Sequence, residues 1–140
     1  MNAGIGVCDS SLYKMFSPVN FQNHTSHNPD IQESSRNTFL NMVDRILMDL
    51  VVASGMEDLQ TLRSIIYNIK GSVGIFCTEY LKTQMEELAR LGHELHRKTY
   101  LMFVNRFITD LNTLLNEVKS FQILAINSQT ETTATAVLKY

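Results

Sequence analysis

The stretch Ser64–Leu81, SIIYNIKGSVGIFCTEYL, decides the fold, because its apolar residues recur with the period of an α-helix. At about 100° per residue, the helix that contains it has one broad apolar face, which is predicted to be core. The opposite and narrower face is predicted to be the functional surface. The apolar face holds Leu59, Leu62, Ile65, Ile66, Ile69, Ser72, Val73 and Phe76, and the opposite face holds Gln60, Arg63, Tyr67, Lys70, Gly71 and Gly74.

Two glycines stand inside this otherwise strong helix, although each costs about 1 kcal/mol relative to alanine in a helix interior. Gly71 follows Tyr67 by one turn, and Gly74 follows Lys70 by about one turn. The glycines therefore remove side chains around Tyr67 and Lys70, so that a partner can approach the helix backbone closely. Together with Arg63, these four residues form the predicted docking site.

The stretch LRSIIYNIKGSVGIFCTEYL resembles the signature helix of histidine phosphotransfer (HPt) domains, which reads approximately A-H-x-L-K-G-S-x-x-x-G-A-x-x-L. Tyr67 stands where that family has its phosphorylated histidine. The resemblance covers roughly residues 38–121. The residues in register with the pattern are Ile66, Ile69, Lys70, Gly71 and Ser72.

The resemblance implies a helical bundle that binds the receiver domain of a response regulator. In working members of the family, an exposed imidazole takes a phosphoryl group from a receiver aspartate and passes it on. A phosphate ester of a phenol is a far more inert donor than an N-phosphoryl imidazole, so Tyr67 is not expected to relay phosphate. The resemblance thus implies a non-catalytic module that needs no cofactor, with Arg63 and Lys70 facing the acidic pocket of the receiver.

Two alternatives to a pseudo-phosphotransfer module stay open. A helical adaptor or regulatory protein, for example of a secretion or transcription system, would keep the bundle and bind a partner that is not a receiver. A relay through another histidine would use His93 or His96, which are three residues apart on one predicted helix face. Without a third ligand at helical spacing, these two histidines are predicted to be surface residues.

Composition and charge exclude several other classes of protein. The chain has 140 residues, 44% of them hydrophobic, which predicts one domain with one core. A net charge of −2, with Lys and Arg scattered singly, does not favour nucleic-acid binding. The sequence has no CxxC or HExxH spacing that would predict a metal site, and no apolar run long enough to predict a membrane span. A cytoplasmic protein is therefore expected.

The period of the apolar residues predicts an all-α fold. Residues 1–35, rich in Asn, Ser, His and Gln, are predicted to be a flexible arm, and the Thr-rich residues 127–140 a flexible tail. Residues 36–126 between them are predicted to form an up-down-up-down four-helix bundle. Its helices are predicted near residues 36–53, 57–77, 79–97 and 99–124.

The inward side chains of the other three predicted helices follow from the same period. In the N-terminal arm, the aromatic residues Tyr13, Phe16 and Phe21 are candidates for docking on the bundle, but partial disorder is favoured. The predicted inward residues are Phe39, Leu40, Val43, Ile46, Leu47, Leu50 and Val51 on the first helix, Leu81, Met85, Leu88, Leu91, Gly92 and Leu95 on the third, and Leu101, Val104, Phe107, Ile108, Leu111, Leu114, Leu115, Val118 and Phe121 on the fourth.

Overall fold

A computed structural model describes residues 13–91 and 96–123, and within these ranges the protein is all-helical, with five α-helices and no strand. None of these helices combines the length and the apolar character that crossing a membrane requires. The five helices are α1 (Pro18–His24), α2 (Pro29–Gly55), α3 (Leu59–Gly74), α4 (Glu79–Leu91) and α5 (Arg97–Ser120).

Side-chain caps define where the first two helices begin. Ser17 Oγ accepts the N–H of Asn20 at the start of α1. Asn28 Oδ1 accepts the N–H groups of Asp30 and Ile31 at the start of α2. A proline follows each cap directly, which suits the first helical position because no hydrogen bond is required from the nitrogen there.

The link between α2 and α3 is a Schellman motif. The N–H of Asp58 donates to Ala53 O at 2.9 Å, and the N–H of Glu57 donates to Ser54 O at 3.0 Å. Glu57 adopts a φ of 55°, the left-handed conformation that glycine usually takes at this position. Asp58 is also the N-cap of α3, so α3 begins immediately after α2 has turned back.

The core lies between the four longer helices, where α2 packs against α3 and α5, and α4 packs against the same two helices. Most of the predicted inward residues are buried. The confirmed core positions are Phe39, Val43, Leu50, Leu62, Ile66, Ile69, Val73, Phe76, Leu81, Met85, Leu88, Val104, Phe107, Leu111, Leu114, Leu115, Val118 and Phe121. Another group is only partly buried against this core: Leu40, Ile46, Leu47, Leu59, Ile65, Leu101 and Ile108.

Two predicted core positions are wrong, because Val51 and Ser72 are exposed. Val51 directly follows Leu50 in α2, and Ser72 directly precedes Val73 in α3; Leu50 and Val73 are both buried. A rotation of about 100° per residue then turns the neighbouring side chain towards solvent. Both sites are at the edge of an apolar face, where the helical period alone does not locate the boundary.

The segment 13–35 was predicted to belong to a flexible arm, and the structure corrects this prediction. It holds α1 and the first turns of α2, so that the second helix begins well before the predicted start near residue 36. Phe16 and Phe21 are 0% and 1% exposed, and the Phe21 ring stacks on Phe76 with centroids 4.9 Å apart. The prediction failed because it weighed average polarity, whereas a few aromatic side chains bury enough area to hold a segment.

The backbone before α1 is held in place against the link between α3 and α4. The N–H of Ser17 donates to Phe76 O at 2.8 Å, and the N–H of Thr78 donates to Met15 O at 2.9 Å. These two bonds form an isolated antiparallel bridge between Phe16 and Cys77. The N-terminal segment therefore lies across the C-terminal end of α3.

Several predictions concern parts of the chain outside the described residues. They are the start of the N-terminal arm (1–12), the C-terminal tail (127–140), and the stretch 92–95 that contains His93. The side chain of Leu91, predicted to point inward, belongs to the same group.

Candidate functional site

Tyr67 lies on the solvent side of α3, and the residue is 63% exposed. The preceding residue, Ile66, is fully buried, and the helical rotation turns Tyr67 away from the core. Lys70 Nζ lies 4.9 Å from the centroid of the Tyr67 ring, a cation–π distance. The ring and the ammonium group thus form one continuous surface feature.

Gly71 extends this surface as a bare patch of helix backbone. It is exposed, and a Cβ placed on it would have no neighbour within 4 Å. Its φ is not positive, so neither packing nor conformation requires glycine here. Since a helical glycine costs about 1 kcal/mol relative to alanine, the fold itself gains nothing from Gly71. A close approach by a partner would explain it.

Gly74 does not belong to this surface, contrary to the prediction from the sequence. It is buried, and a Cβ on it would lie 3.7 Å from Lys82 Cε. Its carbonyl oxygen accepts a hydrogen bond from Asn20 Nδ2 at 2.8 Å. The physical reason is the N-terminal segment, because α1 covers the end of α3 that the sequence left open.

Two cations flank Tyr67, one turn before it and one turn after it. Arg63 and Lys70 are both half-buried, and neither forms an ion pair with another of the described residues. Burial raises the pKa of Tyr100 to about 12, and the positive charge of Arg63 acts against this rise. The site therefore carries two positive charges that no described carboxylate pairs with.

The remaining candidate groups for chemistry are placed elsewhere. His96 is exposed and caps α5, where its Nδ1 accepts the N–H of Lys98 at 3.3 Å. Cys77 is buried, and burial raises the pKa of its thiol to about 12, which removes it as a nucleophile. Within residues 13–91 and 96–123, no cluster of three His, Cys, Asp or Glu could hold a metal ion.

A second exposed surface, which was not predicted from the sequence, lies on the C-terminal half of α2 and on its C-cap, Met56. Met48, Val52 and Met56 are all more than half exposed there, and Val51 lies beside them. The signal was present, since Met48, Val52 and Met56 are spaced i, i+4, i+8, on the side of the helix opposite Leu50. The predictions used only the inward-facing pattern of that helix.

The exposed Tyr67 ring lies between the cations Arg63 and Lys70 on α3, a combination that is common in protein binding surfaces. Its hydroxyl makes no hydrogen bond to any described residue, so no general base adjoins it to activate it as a nucleophile. An aromatic ring, two cations and an open backbone fit an acidic protein surface.

Comparison with known protein families, curated proteins and solved structures finds no match for this chain.

Proposed function

We propose that the chain is a non-catalytic pseudo-phosphotransfer module that binds the receiver domain of a response regulator without relaying phosphate. The observation that carries the proposal is the exposed Tyr67 ring under the Lys70 ammonium group, beside the unobstructed backbone of Gly71. In the resembled family, this position holds the imidazole that meets the receiver. The module would thus keep the docking face for the receiver but would not transfer a phosphoryl group.

The proposed architecture is an up-down-up-down four-helix bundle of α2 to α5, of the HPt kind, to which α1 is added. It is supported by contacts of α5 and its C-cap with the N-terminal and the C-terminal parts of α2. Arg36 donates to Phe121 O at one end, and Ser54 Oγ lies 3.0 Å from Asn105 Oδ1 at the other. The two helices are therefore antiparallel. The short links from α2 to α3 and from α3 to α4 favour antiparallel neighbours as well.

Charge supports an acidic partner at the Tyr67 surface. Arg63 and Lys70 place one positive charge on each side of the ring, and the acidic pocket of a receiver is complementary to both. Tyrosine contributes a rigid aromatic area and a hydroxyl group, which makes it a frequent anchor of protein interfaces. A cytoplasmic location belongs to this proposal, because it is where such a receiver would be met.

A binding assay with matched glycine variants tests the proposal. The full chain is titrated with purified receiver domains, each in its free and its beryllofluoride-loaded form, by isothermal titration calorimetry. Gly71→Arg should weaken binding at least about tenfold, equivalent to about 1.4 kcal/mol, because the new side chain fills the open patch. Gly55→Arg is the control, since Gly55 is also helical and exposed with no neighbour within 4 Å. Failure of every receiver to bind, or equal affinities of the two variants, would refute the docking proposal.

The absence of relay is tested with a phosphorylated receiver. Incubation with the wild-type chain should leave no acid-labile label on it, because Tyr67 is a poor acceptor and donor. Label that appears on the chain and is lost in His93→Ala or His96→Ala would show relay through another histidine and contradict the non-catalytic assignment.

A helical adaptor for a partner that is not a receiver is the second candidate. The observation that favours it is the exposed apolar surface of α2 around Val52 and Met56, which the Tyr67 surface does not use. Binding of a partner that is unaffected by Gly71→Arg and abolished by changes at Val52 would favour this candidate.

A further inference from the structure

The C-terminal half of α2 carries an apolar stripe that no other part of the described chain covers. It consists of Met48, Val51, Val52 and Met56, with exposed fractions of 68%, 55%, 54% and 73%. Single exposed apolar side chains are ordinary on a protein surface, but four of them close together on the end of α2 and its C-cap, Met56, form a patch. Such patches commonly mark an interaction surface.

The stripe borders an open groove between α2 and α3, with a volume of about 410 Å³. Its floor is apolar, because Ala53 is 5% exposed and Ile65 packs partly against the core. A groove with an apolar floor between two helices is a common seat for a third, amphipathic helix. The residues that line it are Asp49, Val52, Ala53, Met56, Asp58, Thr61 and Ile65.

Among the described residues that line the groove, the charged ones are two carboxylates, Asp49 and Asp58. Asp49 is exposed and makes neither a hydrogen bond nor an ion pair with the described residues. Hydrogen bonds from the side chain and the backbone N–H of Thr61 lower the pKa of Asp58, which keeps it ionised. Glu57, next to Asp58, is partly neutralised by Arg97 at 3.7 Å.

We propose that this groove binds a cationic amphipathic helix of a partner protein. Apolar side chains of that helix would enter between Val52 and Met56 and cover the Ala53 floor. Lysine or arginine side chains beside them would pair with Asp49 and Asp58 at the rim. The acidic rim selects against helices of the same apolar pattern that carry glutamate or aspartate.

The groove is separate from the Tyr67 surface in both position and charge. Ile65 and Tyr67 are two residues apart on α3, so their side chains are about 200° apart around the helix. Cations flank Tyr67, and anions line the groove. The proposal therefore does not depend on receiver binding, and the two surfaces could be occupied together.

Charge also decides against two other occupants of the groove. A second copy of the chain, placed by a two-fold axis through the stripe, would bring Asp49 and Asp58 near the same carboxylates of its partner. An anionic lipid surface would be repelled by both carboxylates. A cationic helix is the occupant that satisfies the apolar floor and the acidic rim together.

A designed peptide tests the proposal with the full chain. The probe is a fluorescein-labelled peptide in which the heptad LKKLLKL is repeated twice, and fluorescence anisotropy measures its dissociation constant at low and at high salt. The control probe carries glutamate in place of every lysine. The lysine peptide should bind at least about tenfold more tightly than the glutamate peptide, and added salt should reduce the difference.

Variants on the protein side locate the binding surface. The double change Val52→Asn and Met56→Gln should weaken binding of the lysine peptide about tenfold or more. Asp49→Lys should weaken it and reduce its salt dependence. Met102→Gln is the control and should leave peptide binding unchanged, because Met102 is 60% exposed on α5 outside the groove.

Three results of the peptide titrations would overturn the proposal. They are equal affinities for the lysine and glutamate peptides, unchanged affinity in the Val52→Asn and Met56→Gln variant, and no anisotropy change at any protein concentration. Sedimentation that shows a dimer of the wild-type chain, lost in the same variant, would assign the groove to a second copy and also overturn it.

Discussion

Glu117 Oε1 on α5 accepts the backbone N–H of Phe16 at 2.9 Å, so one carboxylate joins the segment before α1 to the last described helix. The same carboxylate accepts the N–H groups of Met15 at 2.9 Å and of Lys14 at 2.8 Å. Hydrogen bonds to a charged group contribute about 1.5–3 kcal/mol each, more than bonds between neutral groups. Glu117 therefore holds the N-terminal segment on the bundle.

We expect Glu117→Gln to lower the free energy of unfolding by about 2 kcal/mol, because one acceptor oxygen becomes an NH2 group that faces backbone N–H donors. Urea denaturation followed by far-ultraviolet circular dichroism measures the loss. Glu86→Gln on the exposed face of α4 is the control and should change stability by less than about 0.5 kcal/mol. Equal stabilities of the two variants would show that the carboxylate does not hold the segment.

Phe16 itself should behave as a core residue, although the sequence places it in a polar arm. Phe16→Ala should lower the free energy of unfolding by about 3–5 kcal/mol, since a fully buried aromatic ring leaves a cavity when removed. Phe103→Ala is the matched control. Because Phe103 is 41% exposed, this variant should lose much less free energy of unfolding. A loss at Phe16 no larger than the loss at Phe103 would restore the picture of a flexible arm.

The buried face of α3 could be predicted from the sequence, because the helical period alone determines which of its side chains point inward. Ile66, Ile69 and Val73 repeat at helical spacing and are buried, and the same rotation turns Tyr67 outward. This part of the prediction required no knowledge of any other element. It depends only on the geometry of one helix.

What could not be predicted depends on contacts between distant segments. Gly74 is buried because Asn20 and α1 cover it, and nothing in the sequence near Gly74 indicates this cover. Val51 was placed in the core for a related reason: it lies within the apolar pattern of α2, and only the positions of α3 and α5 decide that it faces solvent. Local period locates a helix face, whereas tertiary packing sets how wide the buried part of that face is.

Glu57 offers a test of the turn that sets the α2–α3 angle. A non-glycine residue in the left-handed conformation costs about 1–2 kcal/mol, and Glu57 has a φ of 55° at the position where glycine is commonest. Glu57→Gly should therefore raise the free energy of unfolding by about 1 kcal/mol, even though the exposed pair with Arg97 is lost. Glu57→Ala, which keeps the strain and also loses the pair, is the control and should not be stabilising. A destabilised Glu57→Gly variant would contradict the assignment of strain.

Tyr67 should be replaceable without loss of stability, because its ring is mostly exposed. Tyr67→His should change the free energy of unfolding by less than about 0.5 kcal/mol. Thermal unfolding and urea denaturation of the wild type and the variant measure this. Ile66→Ala, one residue earlier and fully buried, should lose about 2–5 kcal/mol and serves as the comparison. A large loss in Tyr67→His would place the ring in the core and remove it from the docking surface.

Tyr100 should make the protein less stable at high pH. Its hydroxyl donates to Leu88 O at 3.0 Å in the core, and burial raises its pKa from 10.0 to about 12. Below pH 10, the folded and unfolded states both keep the proton. Above pH 10, the unfolded state loses the proton first, so the free energy of unfolding should fall by up to about 3 kcal/mol as the pH approaches 12.

The Tyr100→Phe variant should lack this part of the fall in stability, whereas Tyr80→Phe, at an exposed position, should retain it. Burial also raises the pKa of Cys77 to about 12. Cys77 therefore adds the same pH dependence of stability to both variants, and the difference between them is due to Tyr100. Parallel pH profiles for the two variants would show that Tyr100 ionises as easily in the folded protein as in the unfolded chain.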